Sequence, residues 1–356
     1  MPCGGGSEIL TEPEYIPDIF KIRMEDKHMK RTVKRILLVA MAALLCLGVF
    51  AGCAGTKDIK IGAMPADSNI SFFQELAKGM EAAGEAFGVT VDIQYTGRDI
   101  EKELSLTQTF ISQGYSGLVL ETVDSSAITG CLSRAQEADI PMVAVDTVPD
   151  KTDLAASTVT SDNYNGGYAA GELMKQLIPE GGKIMMTKFN YSSVAMDDRY
   201  KGFEDSIADS NLELVGSIEQ DGTREDTLNK ITPMLTNYPD LVGIFCSQGD
   251  PAIGCLSAVT TAGMQDQVAI VSYDIEDEVA AAIEQGSAIK GGVTQFPYAM
   301  GYMSVYETIR AINGEETPEI EAIPVLPVTK DNIAEFKEDA TAFLEKYGDY
   351  KLPTEL

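Results

Sequence analysis

The chain has 356 residues, 44% of them hydrophobic and 23% charged, a profile that supports a sizeable folded core and a division into two domains. Acidic residues outnumber basic ones 55 to 27, for a net charge of −28, and that sign repels phosphate backbones, which excludes nucleic-acid binding as a starting point. The single histidine, His28, precedes a segment expected to be removed, so Ser-His-Asp catalysis, Cys-His catalysis and histidine-ligated metal sites are excluded from the remainder.

Residues 1–28 mix charges without periodicity and read as an upstream extension ahead of Met29, outside the fold. The basic cluster Lys30, Arg31, Lys34 and Arg35 is followed by an uncharged apolar run from Ile36 to Gly52, the pattern of a signal peptide over 29–52. Its end, Phe50-Ala51-Gly52-Cys53, resembles the lipobox of bacterial lipoproteins, with Phe50 where that pattern usually has leucine. The resemblance implies lipidation of Cys53, with 53–57 as lipidated start and linker; an uncleaved membrane anchor is the alternative. Seven basic and six acidic groups precede Cys53, so the acidic excess belongs to the remainder. Cys131, Cys246 and Cys255 sit at separated apolar positions and read as buried free thiols, with a Cys246–Cys255 bridge as the competing reading.

Beyond the leader, short apolar runs alternate with helical patterns: Ile59 to Met64, Val89 to Tyr95, Gly117 to Leu120 and Pro141 to Val145. Several are continuously apolar, as strands buried on both faces should be. Between the first two, Phe73, Leu76, Met80, Ala83 and Phe87 recur at helical spacing, and Gly88 closes that helix. A second round opens at Ser157 and continues at Lys183 to Thr187, Leu212 to Ile218, Val242 to Cys246, Val268 to Tyr273 and Ala288 to Thr294. The expected fold class is α/β, with two doubly wound parallel-sheet lobes and a cleft between them. Gly166, Gly167 and Gly171 lack the spacing of a dinucleotide fingerprint and fit close helix packing better.

Parallel sheets bind ligands beyond the carboxyl ends of their strands. The candidates are therefore Ser68 to Phe73, Glu121, Asp146, Phe189 to Arg199, Gln248 to Asp250, Asp274 and Gln295. Most are carboxylates, amides or hydroxyls, joined by an aromatic pair. That set suits a polyol, whose hydroxyls are taken by charge-assisted bonds and whose apolar ring face needs a flat partner.

In order and spacing these residues resemble the class I periplasmic-type solute-binding proteins, the ribose- and galactose-binding-like receptors of ABC importers. The resemblance rests on Phe72-Phe73, Ile140-Pro141 then Asp146, Ser161-Asp162-Asn163 then Gly166-Gly167 and Ala170-Gly171, Arg199 before Gly202-Phe203, Asp274 after Ile270 to Tyr273, Gln295-Phe296-Pro297, and Val328 to Asn332. It implies stacking of a sugar on Phe72 and Phe73. Asp146 and Asp274 would take hydroxyl pairs from opposite lobes, Arg199 would donate to ligand oxygens, and Gln295 would bond near the hinge. Gln248 falls where the ribose pattern has asparagine, and Asp250 beside it is a further contact. Glu121 replaces an asparagine and Thr147 an arginine, which makes the pocket more acidic and points to an amino sugar, a polyol or another neutral sugar rather than ribose.

The resemblance also implies lobes of 58–160 plus 296–325 and 161–295 plus 326–356, joined by a three-crossing hinge near Ser161, Gln295 and Pro324 to Val328. It implies a monomeric receptor that closes on a small sugar-like ligand and hands it to an ABC permease, tethered to the membrane by its lipid, without cofactor, metal or catalysis. Plainer roles remain open: Phe73 as core packing, Asp146 and Asp274 as helix caps, Glu121 at the solvent rim, and Arg199 paired with Asp197 or Asp198. A LacI-type repressor shares the two-lobed core, but no helix-turn-helix precedes Ile59. A receptor for a membrane sensor kinase is the standing alternative. Glycoside hydrolysis by Glu121 and Asp146 is the least favoured reading.

Overall fold

The computed structural model describes residues 58–122, 124–190 and 193–356; the leader, His28 and Cys53 lie outside them. Strand and helix alternate through β1 (Lys60–Met64), α1 (Ser71–Phe87), β2 (Thr90–Ile93), α2 (Ile100–Ser112), β3 (Gly117–Glu121), α3 (Ile128–Glu137), β4 (Met142–Val145) and β5 (Ser157–Ser161). The second series runs α4 (Asn163–Leu177), β6 (Gly182–Phe189), α5 (Val194–Ile207), β7 (Leu212–Gln220), α6 (Arg224–Asn237), β8 (Leu241–Cys246), α7 (Gly249–Thr261), β9 (Ala269–Tyr273), α8 (Asp277–Glu284) and β10 (Ile289–Thr294). The chain ends with α9 (Pro297–Ile312), β11 (Ile320–Ile323), β12 (Leu326–Thr329), α10 (Ile333–Glu338) and α11 (Ala340–Gly348).

Two six-stranded sheets result, ordered β11-β5-β4-β3-β1-β2 and β12-β10-β9-β8-β6-β7. The chain passes between them three times: from β5 into α4, which packs on β9, β10 and β12; from β10 into α9, which packs on β3, β4 and β5; and from β11 to β12. Two sequence expectations need correction. The run at Ser157 does not open the second round, because β5 pairs with β4 through Val143 and Ser157 and belongs to the first sheet. The segment around Pro324 is flanked by strands, and β12 is antiparallel to β10, so the second sheet is mixed. Prolines hid β12: Pro327 pairs with Val293 at the sheet edge, where the missing N–H costs no ladder bond.

Each lobe buries its helical stripe against its sheet. On α1, Phe73, Leu76, Met80 and Ala83 face the core, and Gly88 ends the helix in the left-handed conformation at φ 67. One device recurs in both lobes. A Cβ on Gly79 would lie 1.9 Å from the Tyr298 carbonyl oxygen and one on Gly301 1.9 Å from that of Leu76, so α1 and α9 cross backbone to backbone. In the second lobe, Gly167 and Gly202 play the same part between α4 and α5, with would-be Cβ atoms 2.0 Å from the carbonyl oxygens of Arg199 and Tyr164. This close approach carries the α5 backbone, and Arg199 with it, down against α4. The glycines of 166–171 are thus explained by packing.

After α11 the tail returns to the first lobe. Tyr350 donates its hydroxyl to Glu321 of β11 at 2.6 Å, and Tyr302 of α9 donates to the Pro353 carbonyl at 2.8 Å. Cys131, Cys246 and Cys255 are buried free thiols, with no bridge between the last two. Among the described residues no helix is long and apolar enough to cross a membrane.

Candidate functional site

Asp146 and Asp274 follow β4 and β9, each the third strand from the edge formed by β11 or β12, so the two lobes place them equivalently. Both adopt the left-handed backbone, with φ 66 and φ 73, a conformation that aspartate tolerates better than bulkier residues. The neighbouring strand holds each in it. Asp146 N–H donates to the Val159 carbonyl and Asp274 N–H to that of Val293, both at 2.8 Å. The Asp146 carbonyl accepts Thr160 Oγ1 at 2.7 Å, and the Asp274 carbonyl accepts Ser272 Oγ at 3.0 Å. Neither aspartate caps a helix, since α8 has Glu276 at its N-cap and the short turn after Asp146 has Lys151. Strain held by surrounding structure at a cleft is a mark of a working position.

Arg199 reaches inward from α5 and is 3% exposed. Its Nε donates to Asn163 Oδ1 at 2.8 Å and Nη1 to the Ser247 carbonyl at 3.2 Å, while the guanidinium lies 3.8 Å from the Tyr273 ring centroid. Asp274 Oδ2 is 4.0 Å from Nη1. Asn163 Oδ1 also accepts the Tyr273 hydroxyl at 3.2 Å, so one amide oxygen orients both the cation and the ring beneath it. Gln295 completes this side: Nε2 donates to Asp274 Oδ1 at 2.8 Å. Its Oε1 is buried and has no partner.

Glu121 is 1% exposed, not at a solvent rim. Its Oε2 accepts the Ala66 N–H at 2.9 Å. Burial pushes its carboxyl well above the usual range, the Asp146 charge adds to the rise, and the Ala66 bond opposes it. Asp146 is pushed up to about 6 by burial, lowered by Arg199 and raised again by Asp274. These three charges therefore share one field across the two lobes. Burial also raises Asp274, against the pull of Arg199 and the Gln295 bond. Behind Glu121, the fully buried Glu103 accepts Thr122 Oγ1 at 3.1 Å and is pushed up to about 7, chiefly by burial.

The remaining candidates divide. Phe72 lines a cavity of about 720 Å³ together with Asp250, Asp274 and Gln295. Phe73, 7% exposed, packs into the core with its ring edge-on to Phe72 at 5.3 Å and the Arg98 guanidinium 5.8 Å from its centroid. Asp250 is exposed and held by Arg224 Nε at 2.7 Å. Gln248 occupies the N-cap position of α7 without capping it, and its Oε1 is buried without a partner. Thr147 is half-buried, its N–H donating to the Val145 carbonyl at 2.9 Å. Residue chemistry alone missed Asn163 and Tyr273 as the supports of Arg199, and Glu103 behind Glu121. Asn163 was visible only as part of the Ser161-Asp162-Asn163 motif. Among the described residues no His, Cys, Asp and Glu group is arranged to hold a metal ion.

The family described as periplasmic binding protein domain matches residues 61–316. The ribose import binding protein RbsB of Escherichia coli (strain K12) is 26% identical over 289 residues, covering 81% of this chain and 95% of that protein. The arabinose-binding protein AraP of Geobacillus stearothermophilus shares the fold, with a TM-score of 0.72 at 23% identity, covering 78% of this chain and 99% of that one. An ABC transporter solute-binding protein of Mycobacterium smegmatis with bound glycerol superposes with a TM-score of 0.70 at 26% identity, covering 78% and 96% of the two chains.

Proposed function

The chain belongs to the periplasmic binding protein domain family, and from that premise we propose that it is an extracytoplasmic receptor for a monosaccharide or related polyol, delivering it to an ABC importer. One observation carries the reading. Asp146 and Asp274 stand at equivalent strand ends of the two lobes, in the same held conformation, with Arg199 between their fields. A hydroxylated ligand seated there donates hydroxyl pairs to both aspartates and stacks on Phe72. Contacts from both lobes coexist only when the cleft is closed, so the ligand shifts an open–closed equilibrium toward the form a permease engages. Nothing in this scheme transforms the ligand.

A relative named for ribose import and a solved neighbour named for arabinose binding support the ligand class. In this reading Cys53 carries the lipid that keeps a monomeric receptor beside its transporter. A thermal-shift screen of the purified protein against pentoses, hexoses, amino sugars and polyols tests it, because a native-state ligand raises the melting temperature by mass action. A hit lost in Asp274→Ala, in a variant that still unfolds cooperatively, supports the receptor; a panel without a single shift refutes it.

A further inference from the structure

The cleft is rich in acceptors and poor in free donors. Asp274 lines the cavity, Asp146 lies within reach of its charge and Glu121 within reach of that of Asp146, so three carboxyl groups gather here. Gln295 lines the cavity and is 6% exposed, and with Nε2 committed to Asp274 its unpartnered buried atom is fixed as an oxygen acceptor. Gln248 Oε1 is a further buried acceptor without a partner. Against these stands one buried cation, Arg199, whose Nε and Nη1 already serve Asn163 and Ser247. Its nearest anion is Asp274, in its own lobe.

The first lobe is left without a counter-charge in contact. The Asp146 carboxylate makes no hydrogen bond or ion pair with any described residue, and Glu121 has only the Ala66 N–H. Arg98 acts on Glu121 from a distance, its exposed guanidinium lying over the Phe73 ring. Thr147, next in the chain to Asp146, is neutral. A hydroxyl offers one donor and no charge, so a neutral polyol leaves these two acids repelling each other in a desolvated site. An ammonium offers three donors, no acceptor and the missing positive charge.

We infer that the ligand of this cleft is a polyol bearing a protonated amine, with the ammonium seated against Glu121 and Asp146 and the hydroxyls turned toward Asp274, Arg199 and Gln295. This rests on the receptor reading above and narrows its substrate class. The raised proton affinities of Glu121 and Asp146 agree: burial disfavours both carboxylates and the Asp146 charge adds to the rise at Glu121, so each gains from a cation in contact.

The test is calorimetric titration of the purified protein with D-glucosamine, D-galactosamine, D-mannosamine and 1-amino-1-deoxy-D-sorbitol, each beside its parent sugar or alditol at pH 7. At least one amine should bind about tenfold or more tightly than its parent, the size of one charge-assisted hydrogen bond. Glu121→Gln and Asp146→Asn, checked for unchanged cooperative unfolding, should collapse that amine-to-parent ratio. A parent that binds as tightly as its amine, or a ratio untouched by both substitutions, overturns the inference. Parents that bind while every amine is silent overturn it and leave the polyol-receptor reading standing; silence of the whole panel overturns both.

Discussion

Glu103 is buried to 0% exposure on α2, with Oε2 held by Thr122 and Oε1 without a partner. Burial, reinforced by the Asp124 and Asp99 charges, raises its carboxyl from 4.5 to about 7. At about 1.4 kcal/mol for each tenfold change in proton affinity, that rise corresponds to about 3 kcal/mol. The sign is opposite to that of a salt-bridged carboxylate. A group whose folded value is raised contributes its stability below the unfolded value, near 4.5, and loses it as pH climbs through about 7. Glu103→Gln keeps an oxygen for Thr122 and cannot ionise. The variant should therefore match the wild type near pH 4.5 and exceed it by an amount approaching 3 kcal/mol at pH 8, with most of the gap opening between those limits. Urea unfolding at a series of pH values measures this; the difference between the two proteins cancels the titration of Asp146, and loss of the Glu103 charge that raises Glu121 stabilises the variant at high pH in the same direction. A variant less stable than wild type at pH 8, or a gap independent of pH, would mean that folding does not raise the proton affinity of Glu103.

Asp274→Ala removes a carboxylate that anchors Gln295 and faces the cleft; ligand affinity should fall on the order of a hundredfold, read by calorimetry, which is the worth of about 2–3 kcal/mol of charge-assisted bonding. Gly301→Ala places a Cβ 1.9 Å from the Leu76 carbonyl oxygen, and forcing α1 and α9 apart should lower the unfolding free energy by about 1–3 kcal/mol. Ending the chain at Asp349 removes the bonds from Tyr302 to Pro353 and from Tyr350 to Glu321. The expected loss is about 1–3 kcal/mol in urea unfolding, and an unchanged midpoint would show that the tail adds nothing to the first lobe.

The strands buried on both faces were legible because they are written as continuous apolar runs, and their carboxyl ends pointed to Asp146, Asp274 and Glu121 by the geometry of parallel sheets. What escaped was fixed by packing between distant segments. The pattern IEAI of β11 exposes Ile320 and buries Ile323, too short and mixed to stand out, and β12 was masked by its proline. Glu121 reads as a rim residue until the loop after β1 folds over it and supplies the Ala66 N–H. The depth of Arg199 depends on Gly167, thirty-two positions earlier, and its orientation on Asn163 and Tyr273. No local pattern joins those residues; the crossing of α4 over α5 does.

One ligand bridging Asp146 and Asp274 must draw the two lobes together. Small-angle X-ray scattering of the purified protein, titrated with the best-binding polyol or amine from the screens above, tests it most directly. The radius of gyration should fall and saturate with binding in the wild type, and the fall should be lost in both Asp146→Ala and Asp274→Ala at the same ligand concentration. Saturable binding with an unchanged radius, or compaction that survives removal of either aspartate, would contradict it.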